Sequence, residues 1–143
     1  MTVKDIYDSF NHLDTHLDFE LEVISPGNII YRVTIQNKHL SSPNVGHGAV
    51  TAGLMDCILG TTALTSVFDE GNLVSTVEFK LNYFKPTFLG DQLEARGEVE
   101  FKGKGLVTTS ARIIKANTGE LVAKGMGTFN IYPQEKRLKD LIS

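Results

Sequence analysis

His47 and Gly48, with Asp56 eight positions past the glycine, are the residues in this chain whose types and spacing could do chemistry together. If Gly48 opens a helix, the backbone N–H groups there lack intrahelical partners and carry the positive end of the dipole. Such an end can hold a carboxylate, a phosphate, or a carbonyl oxygen that becomes negative during reaction. Glycine adds no side chain to block access. Asp56 is the one charge in a long apolar run, and a buried charge is costly unless it is paired or used. Used, it is a general base or a nucleophile. A plainer reading stands beside this one: Gly48 eases a turn, and Asp56 is a satisfied polar group in the core.

The run that positions these groups extends from Ala49 to Phe68. It holds one charge in twenty residues and no proline, too long for an ordinary strand, so the pattern predicts a helix. Residues three, four and seven apart share a face. Ala49, Ala52, Gly53, Asp56, Gly60 and Ala63 form a stripe of small residues around the carboxylate. Val50, Leu54, Cys57, Ile58, Leu64 and Phe68 form a bulky stripe that suits a sheet. The small stripe lets a backbone or a ligand approach Asp56. Along the helix axis Asp56 lies roughly 12 Å beyond Gly48. A base must come within about 3 Å of its target, or one water further, so Asp56 cannot serve its own helix start. It can serve the start of a second copy lying antiparallel. Catalysis by both groups therefore requires an oligomer.

Twenty apolar residues could also span a membrane. The central Asp, the Thr and Ser residues within the run and the absence of flanking basic clusters argue for a core helix instead. The 143 residues fit one domain with its own core; hydrophobic content of 41% and charged content of 22% are those of a globular protein. A net charge of −3 gives no general attraction to nucleic acid or anionic membrane. One cysteine, Cys57, excludes an intrachain disulfide and offers no metal-ligand pattern. The first residues lack the apolar stretch of a signal peptide, so the cytoplasm is the default compartment.

Around the helix the chain reads as strands. Val3, Ile6, Tyr7 and Phe10 give a short amphipathic helix. Leu17, Phe19, Leu21 and Val23 alternate, Pro26-Gly27-Asn28 turns, and Ile29, Tyr31, Val33 and Ile35 alternate again. Residues 37–46 form a polar loop. After the helix, four strands carry Val77/Phe79/Leu81/Tyr83, Leu93/Ala95/Val99/Phe101, Val107/Thr109/Ala111/Ile113 and Leu121/Ala123/Phe129/Ile131. Gly97 suggests a bulge or bend in the second of them. The charged tail, 134–143, reads as a helix or a frayed end. Strands segregated from one long helix give an α+β class, one bent antiparallel sheet wrapped around that helix.

Several motifs match a known family: Asn44-Val-Gly-His47-Gly48-Ala49 followed by Asp56, Ser75-Thr76-Val-Glu78, Leu81-Asn82-Tyr83-Phe84-Lys85-Pro86, Gly90-Asp91, Lys102-Gly103-Lys104, and Gly119 to Gly125. From about Ile29 to Tyr132 the chain resembles the hotdog-fold acyl-CoA thioesterases of the PaaI-like (phenylacetyl-CoA thioesterase) group. The resemblance implies a hotdog fold, a homodimer whose sheets join, and often a tetramer made of two dimers. It implies hydrolysis of an acyl-CoA thioester without a cofactor. The Gly48 N–H would polarise the carbonyl, and Asp56 of the facing subunit would activate water or attack directly. His47 and Asn44 would orient substrate or water, and Thr76 would place a hydroxyl near that water. The family usually has glycine where this chain has Ala49, and the offset of the Asn varies.

Lys102, Gly103 and Lys104 form a basic turn. It is either a solvated hairpin tip or a partner for the phosphates of CoA, near which the family places contacts. Lys85 and Lys124 are further basic candidates, and Tyr83 and Phe84 could line the acyl pocket or, for Tyr83, the core. Cys57 on the bulky face reads as an inert thiol, and His12, His16 and His39 as surface residues. An apolar surrounding should raise the pKa of Asp56, so hydrolysis should fall with acidity. A non-catalytic acyl-CoA-binding or regulatory module, and a purely structural oligomer, remain as competing functions. The acyl group is not legible.

Overall fold

The computed structural model describes residues 2–137. Two short helices, α1 (Val3–Phe10) and α2 (His12–His16), lead into a hairpin of β1 (Glu20–Ser25) and β2 (Asn28–Thr34). A small hairpin, β3 (Leu40–Ser42) and β4 (Val45–Gly46), precedes α3 (Gly48–Val67). Four long strands follow: β5 (Asn72–Tyr83), β6 (Gln92–Lys102), β7 (Leu106–Lys115) and β8 (Leu121–Pro133). The main sheet has six strands in the order β1-β2-β6-β7-β8-β5, every pair antiparallel. This is the hotdog arrangement, one bent sheet wrapped around one helix.

The wrap explains the burial of α3. Eleven of its twenty residues are buried, more than one helical stripe can supply. Val50, Leu54 and Ile58 pack on the sheet as the bulky stripe predicts. Thr51, Met55, Leu59 and Thr62 are buried too, whereas Cys57, Leu64 and Phe68 are only half-buried. The small stripe divides: Ala63 is fully buried, Ala52, Gly53 and Gly60 are half-buried, and Ala49 and Asp56 face outward. Several threonine hydroxyls in this core find partners, although Thr62 Oγ1 has none among the described residues. Tyr31 Oη and Thr61 Oγ1 share a hydrogen bond of 2.9 Å, and Thr109 Oγ1 donates to Leu59 O at 3.0 Å. The span Gly48–Glu70 is long and apolar enough to cross a membrane, but most of it is buried by the sheet.

Three expectations change. Gly97 is not a bulge; the register shift of β6 against β7 falls between Val99 and Phe101. A Cβ at Gly97 would lie 2.1 Å from Thr62 Oγ1 and 3.3 Å from Ile58 O, so glycine is what lets β6 touch α3. His39 is not a surface residue but is fully buried. Its Nδ1 accepts from Gln36 N at 2.9 Å, and its Nε2 lies 2.7 Å from Leu17 O. With Nδ1 accepting, Nε2 carries the proton and donates. The segment before α3 is thereby pinned to the end of α2, and His39 O accepts from His47 N. The predicted first strand begins later than expected, at Glu20, because Leu17 caps α2 and Asp18 turns with φ 57°. The tail expected as a helix or frayed end lies outside the described residues from 138 onward.

Candidate active site at the start and middle of the central helix

The β3–β4 hairpin delivers the chain to α3. Its turn is Pro43-Asn44, with Asn44 at φ 64°, a left-handed conformation that Asn tolerates. Asn44 O accepts from Leu89 N, and its exposed side chain makes no hydrogen bond among the described residues. His47 is the N-cap, and its ring Nδ1 accepts from Ala49 N at 2.9 Å. Val50 N donates to His47 O. Of the first helical amides, those of Ala49 and Val50 are thus occupied. The Gly48 N–H is exposed and has no acceptor among the described residues.

Tyr83, at the end of β5, closes one side of this helix start. Its hydroxyl donates to Gly48 O at 2.8 Å, and its ring would stand 3.7–3.8 Å from a Cβ at Gly48. That is ordinary contact distance, and Gly48 does not have a positive φ. Packing within the chain therefore does not require glycine here. What a side chain would obstruct is approach to the amide. Tyr83 is 54% exposed, so it belongs to this site rather than to the core.

Asp56 lies on the same uninterrupted helix, two turns further along. It is exposed, so the apolar enclosure expected around it is not supplied by its own chain. Thr76 Oγ1, on β5, donates to Asp56 Oδ1 at 3.3 Å. The two line a cavity of about 390 Å³ together with Ser75, Gly53, Gly60 and the N-terminal residues Tyr7, Asp14 and Leu17. The small residues leave the room, and α1 and α2 supply one wall.

Sequence reasoning missed Asp14. It is 4% exposed, and Cys57 Sγ donates to both of its carboxylate oxygens at 3.2 and 3.3 Å. Burial pushes its pKa up; the thiol hydrogen bond opposes that, and the nearby Asp56 charge adds to it. The Cys57 thiol is likewise pushed up, first by burial and then by Asp14. A thiol held in its protonated form is a poor nucleophile, as expected for Cys57.

The other binding candidates do not meet at this place within one chain. Lys102 pairs with Glu70 and donates to Ser66 O, at the opposite end of α3 from Gly48. That end is roughly 30 Å away along a twenty-residue helix. Gly103 N donates to Leu106 O in the hairpin turn, and Lys104 is exposed beside it. Lys85 is exposed just after Tyr83.

The profile of the Thioesterase superfamily matches residues 44–122, more than half of the chain, from Asn44 through β7 and into β8. The chain belongs to the thioesterase superfamily. The matched span contains the helix start, Asp56, Thr76 and the basic turn. This thioesterase is 31% identical over 104 residues to acyl-coenzyme A thioesterase 13 of Homo sapiens, covering 73% of each chain. The Mus musculus protein of that name is 27% identical over the same length. In fold it is similar to the E. coli PaaI protein of the phenylacetic acid degradation operon, with TM-score 0.79, 18% identity and 90% of each chain covered. A Streptococcus pneumoniae thioesterase solved with coenzyme A has TM-score 0.74 and 23% identity, over 92% of this chain and 98% of that one. These two structures agree with the hotdog fold of this thioesterase.

Proposed function

We propose that this thioesterase hydrolyses acyl-CoA thioesters at sites built from two copies of the chain. The observation that carries the reading is the pair of features on α3: an unoccupied amide at Gly48, and the Asp56–Thr76 pair opening into a cavity roughly 12 Å further along. Neither can reach the other in one chain. Antiparallel α3 helices in a homodimer bring the amide of one copy opposite the carboxylate of its partner. β5 supports that assembly, because it is a twelve-residue edge strand of the sheet and can pair with a second β5. The relatives named acyl-coenzyme A thioesterase support the acyl-CoA substrate. Two such dimers would form the tetramer. The chemistry calls for no cofactor, and the cytoplasm is the compartment we propose.

In this mechanism the thioester carbonyl oxygen accepts from the Gly48 N–H. Water, oriented by Thr76, attacks the carbonyl carbon while Asp56 takes its proton. Negative charge collects on the carbonyl oxygen, where the amide and the helix dipole stabilise it. Collapse breaks the C–S bond, and the departing CoA thiolate recovers the proton from Asp56. His47 and Asn44 flank the helix start and orient the substrate. The basic turn at Lys102, Gly103 and Lys104 comes near the partner's site only because the helices run antiparallel; Tyr83 borders the helix start directly, and Lys85 is exposed two residues beyond it.

Asp56→Ala tests the reading. Turnover of acyl-CoA should fall by about 10²–10⁴, with CoA binding kept in a titration calorimeter. Unchanged turnover would refute Asp56 as the base, and a fully active monomer in sedimentation would refute the shared site.

A further inference from the structure

His39 is a buried residue that touches both halves of the proposed site within one chain. It closes the 3₁₀ turn Asn37–His39 and is 0% exposed. Its ring Nδ1 accepts from Gln36 N at 2.9 Å, which holds the turn, and its Nε2 donates to Leu17 O at 2.7 Å. Leu17 is the C-cap of α2, at the helix end whose carbonyls lack intrahelical partners. Leu17 and Asp14 both line the cavity into which Asp56 and Thr76 open. The backbone of His39 faces the other half of the site, because its carbonyl accepts from His47 N at 2.7 Å. His47 is the N-cap of α3, so that bond fixes the residue whose peptide carries the Gly48 N–H.

The β3–β4 hairpin is held from its far side by backbone bonds, Gly46 N to Thr87 O at 2.8 Å and Leu89 N to Asn44 O at 2.9 Å. Toward α2 the tie runs through the imidazole. A side chain that merely filled this space would need no polar atoms. Joining the Gln36 N–H to Leu17 O takes an acceptor at one end and a donor at the other. A neutral imidazole with its proton on Nε2 offers both on one rigid ring. Its removal leaves both backbone groups without these partners, which is costly in a protein interior.

We propose that His39 is a positioning residue for thioester hydrolysis. Through the bond from Nε2 to Leu17 O it keeps the start of α3 in register with the α2 wall of the cavity beside Asp56. The assignment rests on the acyl-CoA reading. His39 touches neither the substrate nor the reacting atoms. In an antiparallel dimer the two elements it joins face different sites, so each His39 sets one half of each. Displacing either half by about 1 Å is enough to slow the reaction by up to about 10²-fold.

His39→Asn and His39→Gln separate the two ring bonds. The Asn carbonyl reaches the place of Nδ1 and accepts from Gln36 N, but Asn stops short of Leu17. The Gln amide nitrogen reaches the place of Nε2 and donates to Leu17 O. His39→Asn should lower kcat by about ten- to a hundredfold, with KM and the calorimetric affinity for CoA kept. His39→Gln should restore most of that loss. Thr109→Val, which removes a buried hydroxyl bond to Leu59 O, controls for lost stability alone. Parental kcat in His39→Asn, an equal loss in both His39 variants, or an equal loss in Thr109→Val would each overturn the proposal. Hydrogen exchange reads the same tie without turnover: His39→Asn should speed exchange at the His47 and Leu17 amides more than in β7, and uniform acceleration would overturn it. Should His39→Asn not fold, His39→Gln decides alone, since a loss of kcat while those two amides stay protected refutes the role. If the unmodified protein hydrolyses no acyl-CoA while exchange follows the expected pattern, the hydrolase reading fails and the tie between α2 and the helix start stands.

Discussion

Gly48 occupies the first helical position, where a proline is tolerated because its missing N–H would have no intrahelical partner. His47, with φ −69° and ψ 133°, already has the extended backbone a following proline demands. Gly48→Pro therefore removes the proposed oxyanion donor while sparing α3. Turnover should fall by about 10²–10³. Circular dichroism and the unfolding midpoint should stay close to those of the unmodified chain. Retained turnover would mean that another group polarises the carbonyl. Asp14 gives a second prediction at this scale. Its folded carboxyl is raised above its ordinary value of 3.8, so the native state holds the proton more tightly than the unfolded chain. The stability this contributes is fully present below the unfolded value and is lost as pH rises through the folded one. Asp14→Asn, which cannot ionise, should therefore be more stable than the parent near pH 7. The gap should close on acidification toward pH 4, as read by urea denaturation; a gap that is constant across this range would contradict the linkage. Gly48 and Asp56 stood out because a helix start and an apolar helical run keep a recognisable local spacing, whereas Thr76 entered only through the resemblance and Tyr83 read equally as pocket or core. Asp14 and His39 were not. Their partners Cys57 and Leu17 are 43 and 22 residues away, and no local pattern announces burial created by such distant contacts.

At the level of elements, the contact of α3 with β6 rests on the absence of a side chain at Gly97. Gly97→Ala would drive a methyl into Thr62 Oγ1 and should cost about 1–3 kcal/mol. Thr62 Oγ1 is itself buried without a partner among the described residues. Removing it with Thr62→Ala should recover part of that loss, so the two substitutions are coupled rather than additive. Additive unfolding energies would show that the strain lies elsewhere. The length of α3 and the four strands after it could be read from the chain, since each has a sustained period. Which faces of α3 are buried could not. A helix wrapped by a curved sheet is covered on several sides, so Thr51, Met55, Leu59 and Thr62 lie inside although no single stripe selects them. The division at residues 11–12 between α1 and α2 was equally silent, because five residues carry too little periodicity to separate from a loop.

For the whole molecule, the sheet-around-helix class could be read from the segregation of strands from the helix, while the cross-strand alignment of Arg96, Arg112 and Lys124 emerged only when β6, β7 and β8 were set in register. If activity depends on two chains, specific activity should decline on dilution into the dissociating range, in step with loss of the dimer in sedimentation velocity. Constant specific activity alongside a monomeric boundary would refute that dependence.

Because one rigid rod carries both halves of the chemistry too far apart to meet, two crippled chains can rescue each other. Co-refolding Gly48→Pro with Asp56→Ala gives mixed pairs in which one site inherits both lesions and the other inherits none. A random mixture should regain about a quarter of the parental rate, from two preparations that are each nearly inert alone.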